Sequence, residues 1–272
     1  MTAKEQASTD TPDTAEEAAG DRQFVTAVAR AFEILDAFTP QDRMLGNQEL
    51  TDRTGLPKPT VSRLTYTLTR LGYLTYLPRF AKYRIGFRAV ALGQSALASL
   101  NVREIARPEM LRLSEVMDAT VSLGSRDRLT MIFVEHCPPR TPVALQLGIG
   151  SRLPLAVTAM GRAYYALAKA DERAEIDAKL AGQHGDRWPE IQKGLQEAID
   201  MHMAFGFTTS IGAWNPEVYS AGAAFVLPSG TIMALNCGAP AFLLSRERVL
   251  QEAGPKVAAT ARQIESLVQR DS

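Results

Sequence analysis

Residues 46–72 read GNQELTDRTGLPKPTVSRLTYTLTRLG, and this stretch decides the fold of the first part of the chain. Asn47 stands where an N-cap is expected, and Gly55 supplies the left-handed residue that ends a helix of about two turns. Pro57 and Pro59 are tolerated before or within the first turn of a second helix. Val61, Leu64, Leu68 and Leu71 then fall on one helical face, and Gly72 closes the helix. Helix, glycine turn, helix is the helix-turn-helix pattern. Once the apolar stripe is buried, Lys58, Thr60, Ser62, Arg63, Tyr66 and Thr67 are left facing outward. Short polar side chains allow close approach to a duplex, and Arg63 can pair with a guanine edge or clamp a phosphate.

Upstream, Phe24, Val28, Ala31, Phe32, Leu35 and Phe38 recur at helical spacing until Pro40 stops them. Downstream, Tyr73–Leu77 and Ala81–Ile85 form a hairpin whose tip is Pro78-Arg79-Phe80. Residues 22–86 are therefore expected to form a winged helix-turn-helix. Asn47 and Gln48 at the first helix of the motif, and Arg79 and Lys82 on the wing, complete its candidate DNA contacts. The chain has no net charge, but residues 22–90 hold eleven basic side chains against five acidic ones. A confined basic excess is what a phosphate surface requires, because each cation releases condensed counterions. A plain three-helix bundle with a hairpin and solvated charges is the rival.

Residues 1–21 hold six acids and one Lys, and their composition predicts a disordered acidic tail. At 272 residues the chain is long for one domain and comfortable for two. Residues 87–102 have helical spacing and are expected to form a helix that leaves the DNA-binding module and serves either as the linker or for dimer contacts. Residues 103–272 mix elements. A helix with Pro108 early in it runs to about Asp118, and a hairpin follows over Thr120–Ser125 and Leu129–Glu135. Apolar runs at Val143–Leu147, Thr208–Ile211, Val218–Leu227 and Thr231–Cys237 read as strands. Helices are expected near Thr158, after Asp171, over Pro189–Ala204 and over Ser245–Gln269. This alternation predicts an α+β domain.

No run approaches the roughly 18 apolar residues of a membrane-spanning helix, and the acidic start is unlike an export signal. Cys137 and Cys237, a hundred residues apart, suggest neither a disulfide framework nor a zinc site, so a reducing cytoplasm is expected. Cys137 lies beside His136 and Glu135, but neighbours on a strand point to opposite faces, and Pro138-Pro139 favours a strand end. No phosphate loop, nucleophile elbow or metal motif is present, so catalytic residues, metals and cofactors are expected to be absent. Two segments suggest a ligand pocket instead. Residues 148–162 (GIGSRLPLAVTAMGR) lead a loop into a helix with a small first turn, which either exposes N–H groups to an anion or packs closely on a sheet. Asn236 is a polar residue at the end of an apolar strand, with Trp214 in a loop before the preceding strand, and a buried Asn needs partners.

These residues resemble the IclR family of bacterial transcriptional regulators. The resemblance rests on Gly55–Leu64, Leu71–Leu74, Tyr83–Gly86, Gly150–Pro154, Thr158–Ala163 and the strand leading to Pro240, in order over nearly the whole chain. It implies a winged helix-turn-helix joined by a helix to a GAF-like C-terminal domain. It also implies a homodimer or tetramer on a palindromic DNA operator, with a small-molecule effector, often an organic or aromatic carboxylate. By motif, the effector pocket is expected to involve Leu145, Leu153, Ala159, Met160, Ser210, Val218, Ser220, Asn236 and Gly238, to which the loop adds Trp214. The chain departs from the family after Gly206-Phe207, where paired acids are usual, at Ser220 (commonly Cys) and at Asn236 and Gly238 (commonly Ser). The wing lacks the usual glycine. An enzyme with a DNA-binding tether, and a structural DNA-binding protein without effector, are the alternatives.

Overall fold

The computed structural model describes residues 24–140 and 147–271. They divide into two compact units, the first ending at Ser99 and the second beginning at Leu100. The tail 1–21, Leu145 and most of the strand expected at Val143–Leu147 lie outside the described residues.

In the first unit, α1 spans Thr26–Asp36, α2 Asn47–Thr54 and α3 Lys58–Arg70. The strands β1 (Leu74–Leu77) and β2 (Lys82–Ile85) pair antiparallel, and α4 (Phe87–Ala98) follows. Ile34, Leu45, Leu50, Leu56, Val61, Leu68 and Leu74 form the core. Gly55 takes φ 68° and ends α2, as its position requires. The cap at the other end of α2 is not Asn47, which is the first helical residue. Gly46 is the cap residue, and its N–H donates to Glu49 Oε2 at 2.6 Å. The apolar stripe of α3 also differs at one point. Leu71 is 49% exposed while Thr65 is buried, its hydroxyl satisfied by the Val61 carbonyl at 2.9 Å. Leu71 lies beyond the last turn, so helical spacing no longer dictates where it points.

The second unit opens with α5 (Val102–Met117), β3 (Thr120–Asp127) and β4 (Thr130–Cys137). It continues with β5 (Arg152–Pro154), α6 (Ala159–Leu167), α7 (Ala170–His184) and α8 (Trp188–Phe205). Strands β6 (Thr208–Ile211), β7 (Val218–Val226) and β8 (Ile232–Pro240) complete the sheet, in the order β5-β4-β3-β8-β7-β6 with every pair antiparallel. A short helical run, Arg246–Arg248, and a π-helical turn, Val249–Ala253, lead into α9 (Gly254–Arg270). One sheet face packs Val121, Leu123, Leu235 and Cys237 with residues of α5 and α9; the other packs Met131, Phe133 and Ala234 with α6, α7 and α8. The sheet is thus covered by helices on both sides, and the two ligand-site segments belong to one of its faces. The short β5 falls within the stretch read from sequence as loop. Its three residues carry no periodicity of their own, and only the edge of β4 makes them a strand.

Candidate DNA-recognition surface and ligand cavity

Helix α3 presents Lys58, Ser62, Arg63, Tyr66 and Thr67 to solvent, with Thr60 half-buried. The Thr67 hydroxyl donates to the Arg63 carbonyl at 3.0 Å, so it lies folded against its own helix. Two of the five acids among this unit's described residues are engaged away from that face. Asp42 is bridged by Arg53, with Nη2 to Oδ1 at 2.8 Å, and Glu49 binds Lys82 at 2.8 Å. The Arg53 guanidinium holds the Asp42 carboxyl well below the usual carboxylate range, helped by Thr39, whose N–H and hydroxyl donate to it. Among the described residues, Arg30, Lys58, Arg63 and Arg70 have no ion-pair partner. Positive charge is therefore left unneutralised on and beside α3.

The remaining expected contacts are placed less freely. Gln48 is exposed but donates to Asp52 at 2.6 Å, and half-buried Asn47 accepts from Thr65 at 3.4 Å. Lys82 ties the wing to α2 through Glu49, and Arg79 lies over the Phe80 ring at 5.7 Å. The wing tip, Pro78–Phe80, is a single 3₁₀ turn followed by Ala81 at φ 51°, so the turn closes without the glycine.

In the second unit a small cavity is lined by Leu147, Leu153, Thr158, Ser210, Trp214, Val218, Ser220 and Asn236. The register explains the convergence. Ser210 lies opposite Ser220 and Ser220 opposite Gly238, while Asn236 follows two residues before Gly238 on the same face. Ser210 donates to the Val157 carbonyl at 2.7 Å, and Thr158 donates to the Pro154 carbonyl at 2.8 Å. Asn236 and Ser220, each 7% exposed, have no hydrogen-bond partner among the described residues. Gly238 sits between them. A Cβ there would meet Ser220 Cβ at 3.0 Å and Asn236 Nδ2 at 3.3 Å, so the missing side chain is what leaves both polar groups room. The space left is about 10 Å³, enough for one water.

Six of the ten pocket residues expected from sequence line this cavity. Ala159, Met160 and Gly238 do not, and Leu145 lies outside the described residues. Leu147 and Thr158 line it without having been singled out. Thr158 carried a local signal as a threonine before a small helical turn; Leu147 carried none. The Gly161 N–H donates to the Thr158 hydroxyl at 3.2 Å, capping α6. Ala159, Met160 and Gly161 are buried, and a Cβ on Gly161 would lie 2.1 Å from the Leu155 carbonyl. Of the two readings of this segment, close helix packing is the one these distances favour.

The Glu135-His136-Cys137 stretch is not assembled for catalysis. Glu135 faces α5 and is held by Arg103 at 3.0 Å and Arg107 at 2.7 Å. His136 faces the other way, its Nδ1 3.1 Å from the Ser122 hydroxyl. Burial pushes the Cys137 thiol up to about 11 and the Cys237 thiol up to about 12, the opposite of an activated nucleophile. Among the described residues no group of three potential ligands could hold a metal ion, and no helix is long and apolar enough to cross a membrane.

A winged helix-turn-helix with unpaired cations on its recognition helix, in one chain with an α/β domain that encloses a partly polar cavity, defines a ligand-modulated DNA-binding regulator. Residues 27–78 match the IclR helix-turn-helix domain, and residues 94–266 match the bacterial transcriptional regulator IclR C-terminal domain. The chain belongs to the IclR family of transcriptional regulators and is not an enzyme. It is 34% identical over 235 residues to the HTH-type transcriptional regulator TsaQ1/TsaQ2 of Comamonas testosteroni, covering 85% of this chain and 84% of that one. An IclR family transcriptional regulator from Brucella abortus superposes with a TM-score of 0.82 at 39% identity, over 92% of this chain and 95% of that one. An IclR homologue complexed with 4-hydroxybenzoate, from Microbacterium hydrocarbonoxydans, shares the fold with a TM-score of 0.70 at 20% identity, over 90% and 99% of the two chains.

Proposed function

We propose that the protein acts as a homodimer on a palindromic operator, with α3 in the major groove and the wing against the backbone, and that a small organic acid modulates its affinity. The observation that carries the DNA part is the unpaired pair Lys58 and Arg63 on the exposed face of α3. Two-fold symmetry of the protein matches half-sites about one helical turn apart. Helix α4 supports the dimer: it buries no residue, and Phe87, Val90 and Leu92 are 80%, 59% and 54% exposed. The larger assembly, a tetramer, is distinguished by light scattering.

The effector is read by Asn236 and Ser220, with Trp214, Leu153 and Val218 supplying apolar walls. A carboxylate suits two buried, unpartnered polar side chains, since charge-assisted hydrogen bonds are the strong ones. The cavity, about 10 Å³, must widen to admit a molecule the size of an aromatic acid, and half-buried Trp214 on the 212–217 loop is one of its walls. Ligand and operator are coupled only as far as the ligand distinguishes the two DNA-binding states, typically by about 1–3 kcal/mol, or 5- to 150-fold.

Fluorescence anisotropy on the chain's own upstream DNA, at two salt concentrations and with a panel of aromatic and aliphatic acids, tests both parts. Specific binding that weakens steeply with salt, and one acid whose effect disappears in Asn236→Leu while DNA affinity stays, is the expected result. Binding no tighter than to random DNA rejects the operator; an acid response untouched by Asn236→Leu rejects the cavity.

A further inference from the structure

We propose that the acidic segment 1–21 docks on the unpaired cations of α3 and competes with DNA for them. Three observations meet here. The segment holds Glu5, Asp10, Asp13, Glu16, Glu17 and Asp21 against a single Lys4. In the first unit Asp42 is taken by Arg53 and Glu49 by Lys82, while Glu33, Asp36 and Asp52 form no ion pair, and Arg30, Lys58 and Arg63 have no ion-pair partner among the described residues. The chain also enters α1 beside the recognition helix, because Ala27, Val28 and Arg30 wall the same groove as Thr60, Arg63 and Thr67.

Magnitudes decide which complexes this contact disturbs. About 20 residues reach roughly 25 Å end to end even at coil dimensions, enough to bring the acids to Lys58 and Arg63. Tethering holds those acids at an effective concentration of about millimolar. Random DNA, bound with a dissociation constant of about 10⁻⁴–10⁻⁶ M, meets real competition from such a segment. An operator bound at about 10⁻⁸ M or tighter displaces it. Docking lowers the apparent affinity for random and operator DNA by the same factor, so at micromolar protein random DNA is released while the far more tightly bound operator stays occupied.

The test uses the full chain with the six acids neutralised: Glu5→Gln, Asp10→Asn, Asp13→Asn, Glu16→Gln, Glu17→Gln and Asp21→Asn. Its affinity for random duplex DNA is measured against the parent at about 50 and 300 mM salt. The expected result is a gain of about tenfold at low salt that collapses at high salt, with a synthetic peptide of residues 1–21 displacing the DNA when added at millimolar concentration. Unchanged affinity at low salt overturns the proposal. A gain that the free peptide cannot reverse also overturns it, because long-range repulsion without docking produces the gain alone.

Discussion

The two units handle charge in opposite ways. In the first, Asp42 and Glu49 are taken up by Arg53 and Lys82, and among the described residues Lys58 and Arg63 of the recognition helix are left without an ion pair. In the second, the most buried acid is fully engaged: Glu135, 3% exposed, is held by Arg103 and Arg107. Arg126, mostly buried, is likewise held by Glu172 and Glu175. In its cavity, among the described residues, the groups without a hydrogen-bond partner are neutral, the Asn236 amide and the Ser220 hydroxyl. The difference follows from the partner each surface awaits. A phosphate backbone supplies counter-charge from solvent, so unpaired cations cost little at the surface; inside a domain an unpaired charge costs several kcal/mol, so only neutral groups can wait there.

Breaking the internal compensation is expected to have the largest effect. Glu135→Gln removes the carboxylate that two arginines share and is expected to destabilise the second unit by about 3 kcal/mol in urea denaturation. A loss under about 1 kcal/mol would mean that Arg103 and Arg107 find water instead. Gly161→Ala forces a methyl onto the Leu155 carbonyl and is expected to cost about 2–3 kcal/mol, read from the same denaturation midpoint. If the variant is as stable as the parent, α6 is not packed as closely as those distances require.

The exposed cations sharpen the contrast from the other side. Arg63→Ala is expected to leave stability unchanged within about 0.5 kcal/mol while weakening operator binding by about 1–3 kcal/mol if the side chain reads a base. An unaltered titration would remove Arg63 from the recognition surface. The smallest effect is expected at Asp42. Its folded-state pKa is depressed, so its contribution is present above the unfolded carboxylate value and is lost as pH falls through the carboxylate range toward the folded value. Asp42→Asn should therefore cost about 1 kcal/mol at pH 7 and a smaller amount at pH 2–3, where the parent has lost part of the same contribution. Equal costs at both pH values would locate the effect in the Thr39 hydrogen bonds rather than in the charge.

Much of the first unit was legible residue by residue, because its elements are local. Gly55, Pro57 and the stripe Val61, Leu64, Leu68 act within a few residues of themselves, and the outward set on α3 is what remains once that stripe is buried. Where local logic stops, so did the sequence: Leu71 lies past the last turn and is exposed, and Thr65 takes a core position because a backbone carbonyl satisfies its hydroxyl. The cavity was partly legible through Ser210, Ser220, Asn236 and Trp214. Leu147 was not, since no periodicity reports which loop folds across a sheet. Gly238 was singled out as a contact, yet its role is the room it leaves for its neighbours.

The sequence by itself therefore determined the family and the succession of helices and hairpin in its first part, which short-range propensity sets. Only the tertiary structure decided which cations remain unpaired, that the start of α6 is packed rather than open, and that Asn236 and Ser220 meet in one cavity without partners. Those facts depend on strand register and on contacts between residues far apart in the chain, as with Ser210 opposite Ser220 and Ser220 opposite Gly238, and no local pattern encodes them.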